Sequence, residues 1–328
     1  MNPLRFGIIG TGHMADTFAA ELRALENLGI LAAAVASRRR VTAEAFAARH
    51  GIERAFGSYA ELAADPSIDV AYIATPHSFH EAHTLLCLQS GKHVLCEKPF
   101  AINAAQADRM IGCARTHGKF LMEAMWTRFL PAMTALREHI ARGALGRIQL
   151  IVGGGAFVPS PQPDQYLLQP LLGGGALLDA GVYFISIVTA LVGSALRVRA
   201  TGVIGPSGVD EQDVWLTEHA DGAQAVCYVS LRTRRAPDLE IMGERGRILV
   251  HAPVFCPTQL TLSRPDRTDE IQHYPIEDGG YRYQALEVLR CVRLGLSESP
   301  HLPLAETRTV MATMDEIRAQ LGFRYPNE

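Results

Sequence analysis

Leu4-Arg5-Phe6-Gly7-Ile8-Ile9-Gly10-Thr11-Gly12-His13-Met14-Ala15 is the stretch whose reading decides the fold. Residues 4–9 form a short apolar run, as expected of a parallel strand covered on both faces. Gly10-x-Gly12-x-x-Ala15 follows at once, and residues 13–27 carry an amphipathic helical pattern. The first glycine suits a tight turn. The second lets a backbone approach a pyrophosphate, and the small third residue lets helix and strand pack closely. The positive end of the helix dipole then faces the phosphates. The strand before the loop and the helix after it give the motif its weight, because a bare GxGxxA also occurs as a ligand-free turn.

The same alternation continues outward. Residues 30–36 read as a second buried strand and 41–50 as a helix, with a short strand at 54–56. Residues 69–74 and 93–96 continue the series, each followed by a helix, at 79–89 and 104–117. Strands alternating with helices imply βαβ units and a parallel sheet. The fold class expected is therefore α/β, with an N-terminal Rossmann dinucleotide-binding domain over residues 1–122. Beyond it the pattern changes. Residues 133–141 read as a helix, 148–152 as a strand and 158–175 as a Pro- and Gly-rich connection before an apolar helix at 176–191. Residues 196–274 are mostly strand and turn, and helices at 283–294 and 304–320 close the chain. Segregated strands and helices predict a second, α+β domain over 123–328, built on a large, mostly antiparallel open sheet.

Composition limits the function classes. The 328 residues suit two domains, and 48% are apolar, enough for sizeable cores. A net charge of -3 gives no reason to expect a nucleic-acid partner. No uncharged apolar run reaches the ~20 residues of a membrane helix, so no membrane partner is expected. The N-terminal residues lack the pattern of a signal peptide. Cys87, Cys96, Cys113, Cys227, Cys256 and Cys291 are scattered without a CxxC pair, which suits reduced thiols in a cytoplasm. His77, His80 and His83 invite a metal reading, but their spacing drifts around a helix and no carboxylate partner is evident. No metal is expected.

The end of the second strand bears on which nicotinamide is used. An NAD enzyme places an acid there for the ribose hydroxyls. This chain has Ala36-Ser37-Arg38-Arg39-Arg40. A hydroxyl and a guanidinium fork suit a 2′-phosphate, which a carboxylate would repel, so the expected cofactor is NADP (NADPH). Glu97-Lys98-Pro99 follows the fifth strand at its carboxyl end, the edge where open α/β sheets bind ligands. In Gly173-Gly174-Gly175-Ala176-Leu177-Leu178-Asp179-Ala180-Gly181-Val182-Tyr183, Asp179 and Tyr183 share one face of a helix. A phenol beside a lysine ammonium has its phenolate favoured; a buried Asp–Tyr hydrogen bond is the equally open structural alternative.

These motifs together resemble the glucose–fructose oxidoreductase / inositol dehydrogenase / MocA (Gfo/Idh/MocA) family. The similarity is greatest to its dihydrodiol dehydrogenase branch, which includes NADP-dependent D-xylose dehydrogenases. Glu123-Ala124-Met125-Trp126-Thr127-Arg128-Phe129, Ile241-x-Gly243-x-x-Gly246-x-Ile248-x-Val250 and the segments 280–284 and 323–326 also match. The resemblance implies a dehydrogenase or reductase moving hydride between NADP and a sugar, a trans-dihydrodiol or a dicarbonyl. It implies Tyr183 as general acid/base, Lys98 as the residue lowering its pKa, and Asp179 as an orienting group. Trp126 and Arg128 would lie beside the nicotinamide. Gly10, Thr11, Gly12, His13, Met14, Ser37, Arg38, Thr75, His80, Glu97 and Lys98 would contribute to the cofactor site, and a homodimer or dimer of dimers would form through the open sheet. One departure is Gly153-Gly154-Gly155, where the branch tends to carry arginine and aromatic residues; the glycines predict a wider or differently lined pocket. Two other readings fit the same loop: a non-catalytic NADP-binding regulator and a redox-assisted lyase or glycosidase.

Overall fold

Leu4–Ile9 (β1) is the centre from which the N-terminal part is built, and nearly all of it is buried. The structure is a computed structural model and describes residues 2–160, 166–326 and 328. After β1 come helix His13–Arg23 (α1), strand Ile30–Ala36 (β2), helix Arg40–His50 (α2), strand Arg54–Phe56 (β3) and helix Tyr59–Ala64 (α3). Strand Val70–Ile73 (β4), helix His80–Gln89 (α4), strand His93–Glu97 (β5), helix Ala104–Thr116 (α5) and strand Leu121–Ala124 (β6) follow. The six strands lie in the order β3-β2-β1-β4-β5-β6 with every pairing parallel. Strand order reverses between β1 and β4, and in such sheets ligands bind outside the strand ends at that switch. There Ala74 N–H donates to the Ile9 carbonyl at 2.9 Å, and Gly10 N–H to the Ala36 carbonyl at 3.0 Å.

Phe6, Phe18 and Tyr72 pack across β1, α1 and β4, with ring centroids 5.8 and 3.9 Å apart. Each is fully buried, and each such ring contributes roughly 1.5–3 kcal/mol of apolar burial. The expected first helix stops at Arg23 rather than near residue 27, and a separate 3-10 turn, Glu26–Leu28, leads into β2. Helix α3 and strand β6 are additions to the pattern read from the sequence.

The remaining chain supplies helix Pro131–Ala141 (α6), strand Ile148–Ala156 (β7), helix Val182–Val192 (α7) and strands Ala195–Ile204 (β8), Asp210–His219 (β9) and Gln224–Ser230 (β10). Strands Arg235–Gly243 (β11), Gly246–Val250 (β12), Gln259–Ser263 (β13) and Glu270–His273 (β14) complete an eight-stranded sheet. Its order is β14-β13-β12-β11-β7-β10-β9-β8. Among the described residues only β7 and β10 pair in parallel, so the sheet is mostly antiparallel, as expected. Helices Arg282–Arg293 (α8) and Leu304–Leu321 (α9) end the chain.

The chain forms two compact units, but not by a single cut after residue 122. Residues 1–101, 105–126 and 277–304 form the first, and 102–104, 127–276 and 305–328 the second. Helix α8, expected with the second domain, thus belongs to the first. The Glu21 carboxylate on α1 explains why: it accepts from Gly279 N–H at 2.5 Å and Arg282 N–H at 3.0 Å, fastening the entry of α8. Pro170–Val192 is long and apolar enough to cross a membrane, but it includes two separate turns and is two-thirds buried within the protein, as a core segment is.

The apolar helix expected at 176–191 is not uniform. It opens with a π turn, Leu177–Gly181, and only then becomes α7. The connection expected at 158–175 holds 3-10 turns at Tyr166–Leu168 and Pro170–Leu172, and its residues 161–165 lie outside the described residues.

Candidate active site

In the first unit the glycine loop lies at the switch point. Gly10 has φ +114°, and a β-carbon there would stand 2.6 Å from the Ala74 carbonyl oxygen, so this glycine is required by the fold itself. Gly12 is different. It is the N-cap of α1 in an ordinary extended conformation, and nothing lies within 4 Å of where its β-carbon would be. Among the described residues no side chain caps α1, which leaves its first N–H groups for another acceptor. Thr11, Gly12, His13 and Met14 are all accessible, whereas Ala15 is fully buried against the sheet. The one acid of the first turn, Asp16, accepts from His50 at 2.9 Å and Arg49 at 2.8 Å on α2. Those bonds, His50 first, hold its pKa below the usual carboxylate value.

Beside the loop, Thr11, Ser37, Arg38, Arg39 and Thr42 line a cavity of about 480 Å³. Ser37 is buried within it and Arg38 is exposed. The N-terminus of α2 opens here, with Arg39 as an N-cap that makes no side-chain cap bond. A hydroxyl, guanidinium groups and a helix dipole thus face one space whose lining includes no carboxylate. Arg39 was read only as part of the basic run, and neither it nor Thr42 was given a site role from the sequence. Their signal was available, since Thr42 lies one turn into a helix whose start holds the phosphate-type residues.

At the ends of β4 and β5 the expected residues separate into different tasks. Glu97 is fully buried and accepts from the Tyr72 hydroxyl at 2.5 Å. Burial pushes its pKa up to about 7, against the opposing effects of Tyr72 and the Lys98 charge. Lys98 is part-exposed, its N–H donates to Glu97 Oε2 at 3.3 Å, and its peptide to Pro99 is cis. His80, expected at the cofactor, is fully buried, with Nδ1 2.8 Å from the Pro99 carbonyl and Nε2 2.8 Å from the Thr75 carbonyl. It fastens the loop after β5 to the loop after β4. Burial first lowers its pKa; the two carbonyls oppose that, and Lys98 adds to it. Thr75 Oγ1 lies 3.0 Å from His83 Nδ1, and burial holds His83 at about 4. Trp126 is also buried, stacked on Tyr281 with centroids 4.2 Å apart.

In the second unit Tyr183 stands on the first turn of α7, nearly buried, with its ring 5.8 Å from that of Phe255. Thr127 Oγ1 holds the Phe255 carbonyl at 2.6 Å. Asp179 sits in the π turn and accepts from the Tyr166 hydroxyl at 2.9 Å, a partner the sequence did not suggest. The extra residue in that turn displaces Asp179 from the simple four-residue phase with Tyr183. Arg128, expected beside the nicotinamide, is buried, and its guanidinium donates to Ser186 at 3.3 Å and Glu306 at 3.0 Å. It joins α7 to the start of α9.

The three glycines of β7 do not open a pocket. A β-carbon at Gly153 would meet Leu239 at 2.4 Å, one at Gly154 the Tyr228 ring at 2.4 Å, and one at Gly155 Pro237 at 2.5 Å. The space they leave is filled by side chains of β10 and β11, and Arg235 lies over Tyr228 at 5.5 Å.

Comparison with known proteins agrees with this geometry. Residues 4–125 match a model described as an oxidoreductase family with an NAD-binding Rossmann fold, and residues 133–249 match the GFO/IDH/MocA C-terminal domain. The chain belongs to the Gfo/Idh/MocA oxidoreductase family. Among its relatives are trans-1,2-dihydrobenzene-1,2-diol dehydrogenases of Sus scrofa, 35% identical, and Danio rerio, 37% identical, each alignment covering 99% of both chains. A solved 3-ketoreductase from Actinomadura kijaniata, in complex with NADP, is 26% identical with a TM-score of 0.85, covering 98% of each chain. A levoglucosan dehydrogenase in complex with NADH and levoglucosan shares the fold, at 22% identity, a TM-score of 0.89 and 98% of each chain. The protein is thus an enzyme of an oxidoreductase family built on a nicotinamide-dinucleotide domain.

Proposed function

We propose that this Gfo/Idh/MocA protein is an NADP-dependent dehydrogenase or reductase acting on the CH–OH or carbonyl group of a sugar, a trans-dihydrodiol or a dicarbonyl. The observation that carries the cofactor choice is the cavity lined by Thr11, Ser37, Arg38, Arg39 and Thr42. Gly10, Thr11, Gly12, His13 and Met14 hold the pyrophosphate, and Ser37 and Arg38 the 2′-phosphate. When bound, the nicotinamide supplies the hydride chemistry at C4. The protein supplies position and a proton path. Tyr183 takes the substrate hydroxyl proton in oxidation and returns it in reduction, and the Lys98 ammonium favours its phenolate. Asp179, held by Tyr166, orients the site. The names of the dihydrodiol dehydrogenase relatives support the substrate class. The free thiols of all six cysteines suit a reducing, cytoplasmic setting, and the open face of the eight-stranded sheet, where Val152 and Val214 are exposed, is assigned to a homodimer.

The test is turnover of a panel of sugars, trans-dihydrodiols and dicarbonyls with NADPH or NADP⁺ and with NADH or NAD⁺. Arg38→Ala is expected to lower kcat/KM for NADPH by roughly 10–150-fold, the effect of one charge-assisted hydrogen bond, and to leave that for NADH unchanged. Equal use of both cofactors by the unaltered enzyme would overturn the NADP assignment. Full turnover by Tyr183→Phe at neutral pH would remove the role given to Tyr183. Light scattering of the protein in solution checks the dimer, and a monomer refutes it.

A further inference from the structure

A pair of carboxyl groups lies beside the π turn that leads into the Tyr183 helix and has no part in the chemistry above. Asp210 and Asp213 of β9 are both wholly buried. Asp210 Oδ2 accepts from the Leu177 N–H at 2.6 Å, the first residue of the π turn that carries Asp179 and runs into α7. Space for the pair is made by two glycines. A β-carbon at Gly175 would stand 2.1 Å from Asp210 Oδ1, and one at Gly202 2.6 Å from Asp213 Oδ1.

Among the described residues, Asp210 Oδ1 and both Asp213 oxygens accept no hydrogen bond from another group. The charged and titratable groups facing the pair are Arg318 on α9 and Tyr325 in the C-terminal segment. Neither discharges it. Arg318 is paired at 2.6 Å with both Asp315 and Glu328, and the Tyr325 hydroxyl donates to the Gly174 carbonyl at 2.5 Å. The two carboxyl groups lie within hydrogen-bond reach of each other, and a buried pair of that kind cannot both ionise. Burial raises both, and the charge of Asp210 raises Asp213 further. A single proton resolves the arrangement, since it makes one carboxyl a donor to the other.

We propose that Asp210 and Asp213 share one proton, and that the pair is a positioning element that fixes the π turn and with it Asp179 and Tyr183. The positioning half rests on the role given to Tyr183; the shared proton does not.

The experiment uses the full chain and the variants Asp213→Asn, Asp210→Asn and Asp210→Ala. Folding stability is followed by thermal and denaturant unfolding from pH 6 to pH 10. A folded state that keeps a proton released on unfolding loses stability as pH rises above the ordinary carboxylate range, by up to about tenfold in the folding constant per pH unit. Asp213→Asn supplies a permanent amide donor to Asp210, so its slope against pH is expected to be flatter than that of the unaltered protein. An identical slope overturns the shared proton.

Asp210→Ala removes the acceptor of the Leu177 N–H. Its kcat is expected to fall by about tenfold or more, with the KM for NADPH unchanged, and Asp210→Asn, which keeps a carbonyl oxygen, is expected to recover most of it. A kcat within twofold of the unaltered enzyme overturns the positioning role. If Asp210→Ala does not fold, Asp210→Asn decides through its own pH slope, which must flatten as that of Asp213→Asn does. Tyr183→Phe with full turnover would defeat the reading of Tyr183, while the slope comparison still decides the pair.

Discussion

Replacing Gly12 by alanine separates what the fold requires from what a ligand requires. Gly12 sits at φ -80°, ψ -175°, a conformation open to any residue, and nothing lies within 4 Å of its missing β-carbon. Without nucleotide, then, the variant loses only the small N-cap preference for glycine over alanine, under about 1 kcal/mol, or about 2 °C in Tm for a chain of this size. A bound pyrophosphate changes the balance. A methyl group forced into a close backbone–ligand contact costs about 1–3 kcal/mol, equivalent to roughly 5–150-fold weaker NADPH binding. Gly10→Ala should behave in the opposite way. Its φ of +114° costs an alanine about 1–2 kcal/mol, and the Ala74 carbonyl oxygen at 2.6 Å adds a backbone clash that no rotamer relieves. The assay is a pair of measurements on each variant: Tm without nucleotide, and NADPH affinity by fluorescence titration. Gly12→Ala binding NADPH as tightly as the unaltered protein would refute the reasoning. So would a Gly12→Ala variant as unstable as Gly10→Ala, since that would mean the protein itself occupies the space.

Glu97→Gln tests the buried carboxyl behind Lys98. Its pKa of about 7 lies above the unfolded value of 4.5, so the folded state binds the extra proton and loses stability as pH rises from about 4.5 through 7, by up to about 3 kcal/mol. Unfolding midpoints should fall between pH 5 and pH 8 for the unaltered protein and fall by less for Glu97→Gln, which keeps only the slope of the Asp210–Asp213 pair. His80→Ala should lower stability by about 1–3 kcal/mol per carbonyl left unpaired, and also weaken NADPH binding because the Lys98 loop is released; a change in neither refutes the bridge. Gly155→Ala should cost about 1–3 kcal/mol, because its β-carbon meets the Pro237 backbone. Gly154→Ala should cost less, because the Tyr228 ring can turn aside; the reverse order in chemical denaturation would show that the β7 glycines answer to something other than packing.

What the sequence revealed followed from local physics. The strand–glycine–helix order around Gly10 and Gly12 needs only neighbouring residues, and so does the serine–arginine pair at the end of β2. Helix α3 was also legible in principle: Ser58 Oγ accepts from Glu61 N–H at 3.2 Å, the S-x-x-E signal of a helix start, but six residues give no periodicity to confirm it. Strand β6, four residues with no alternation, had no such signal. The partners that sequence reading did not supply share a different cause. His80 and Arg128 have residue types suited to ligands, but their partners are Pro99, Thr75, Ser186 and Glu306, three of them at least 19 residues away in the chain. The allegiance of α8 depends on Glu21, some 260 residues earlier. Nothing in a single chain read locally carries those pairings.

The glycines of the second unit make the same point about inference. What a β-carbon would meet at a glycine differs from place to place, and the identity of that atom says what the space is for. At Gly12 no atom lies within 4 Å, and the proposed pyrophosphate is what an alanine there would meet. At Gly153, Gly154 and Gly155 the atoms are packed side chains, and the vacancy is already filled. At Gly175 the atom is a buried carboxylate oxygen that also serves the π turn. Overpacking a core with apolar groups costs a few kcal/mol, whereas a buried carboxylate must also find a donor or keep a proton. A glycine retained for a carboxylate is therefore retained for its chemistry, which is why the Asp210–Asp213 pair, rather than the glycine run of β7, is where the second unit holds its less obvious contribution to the active site.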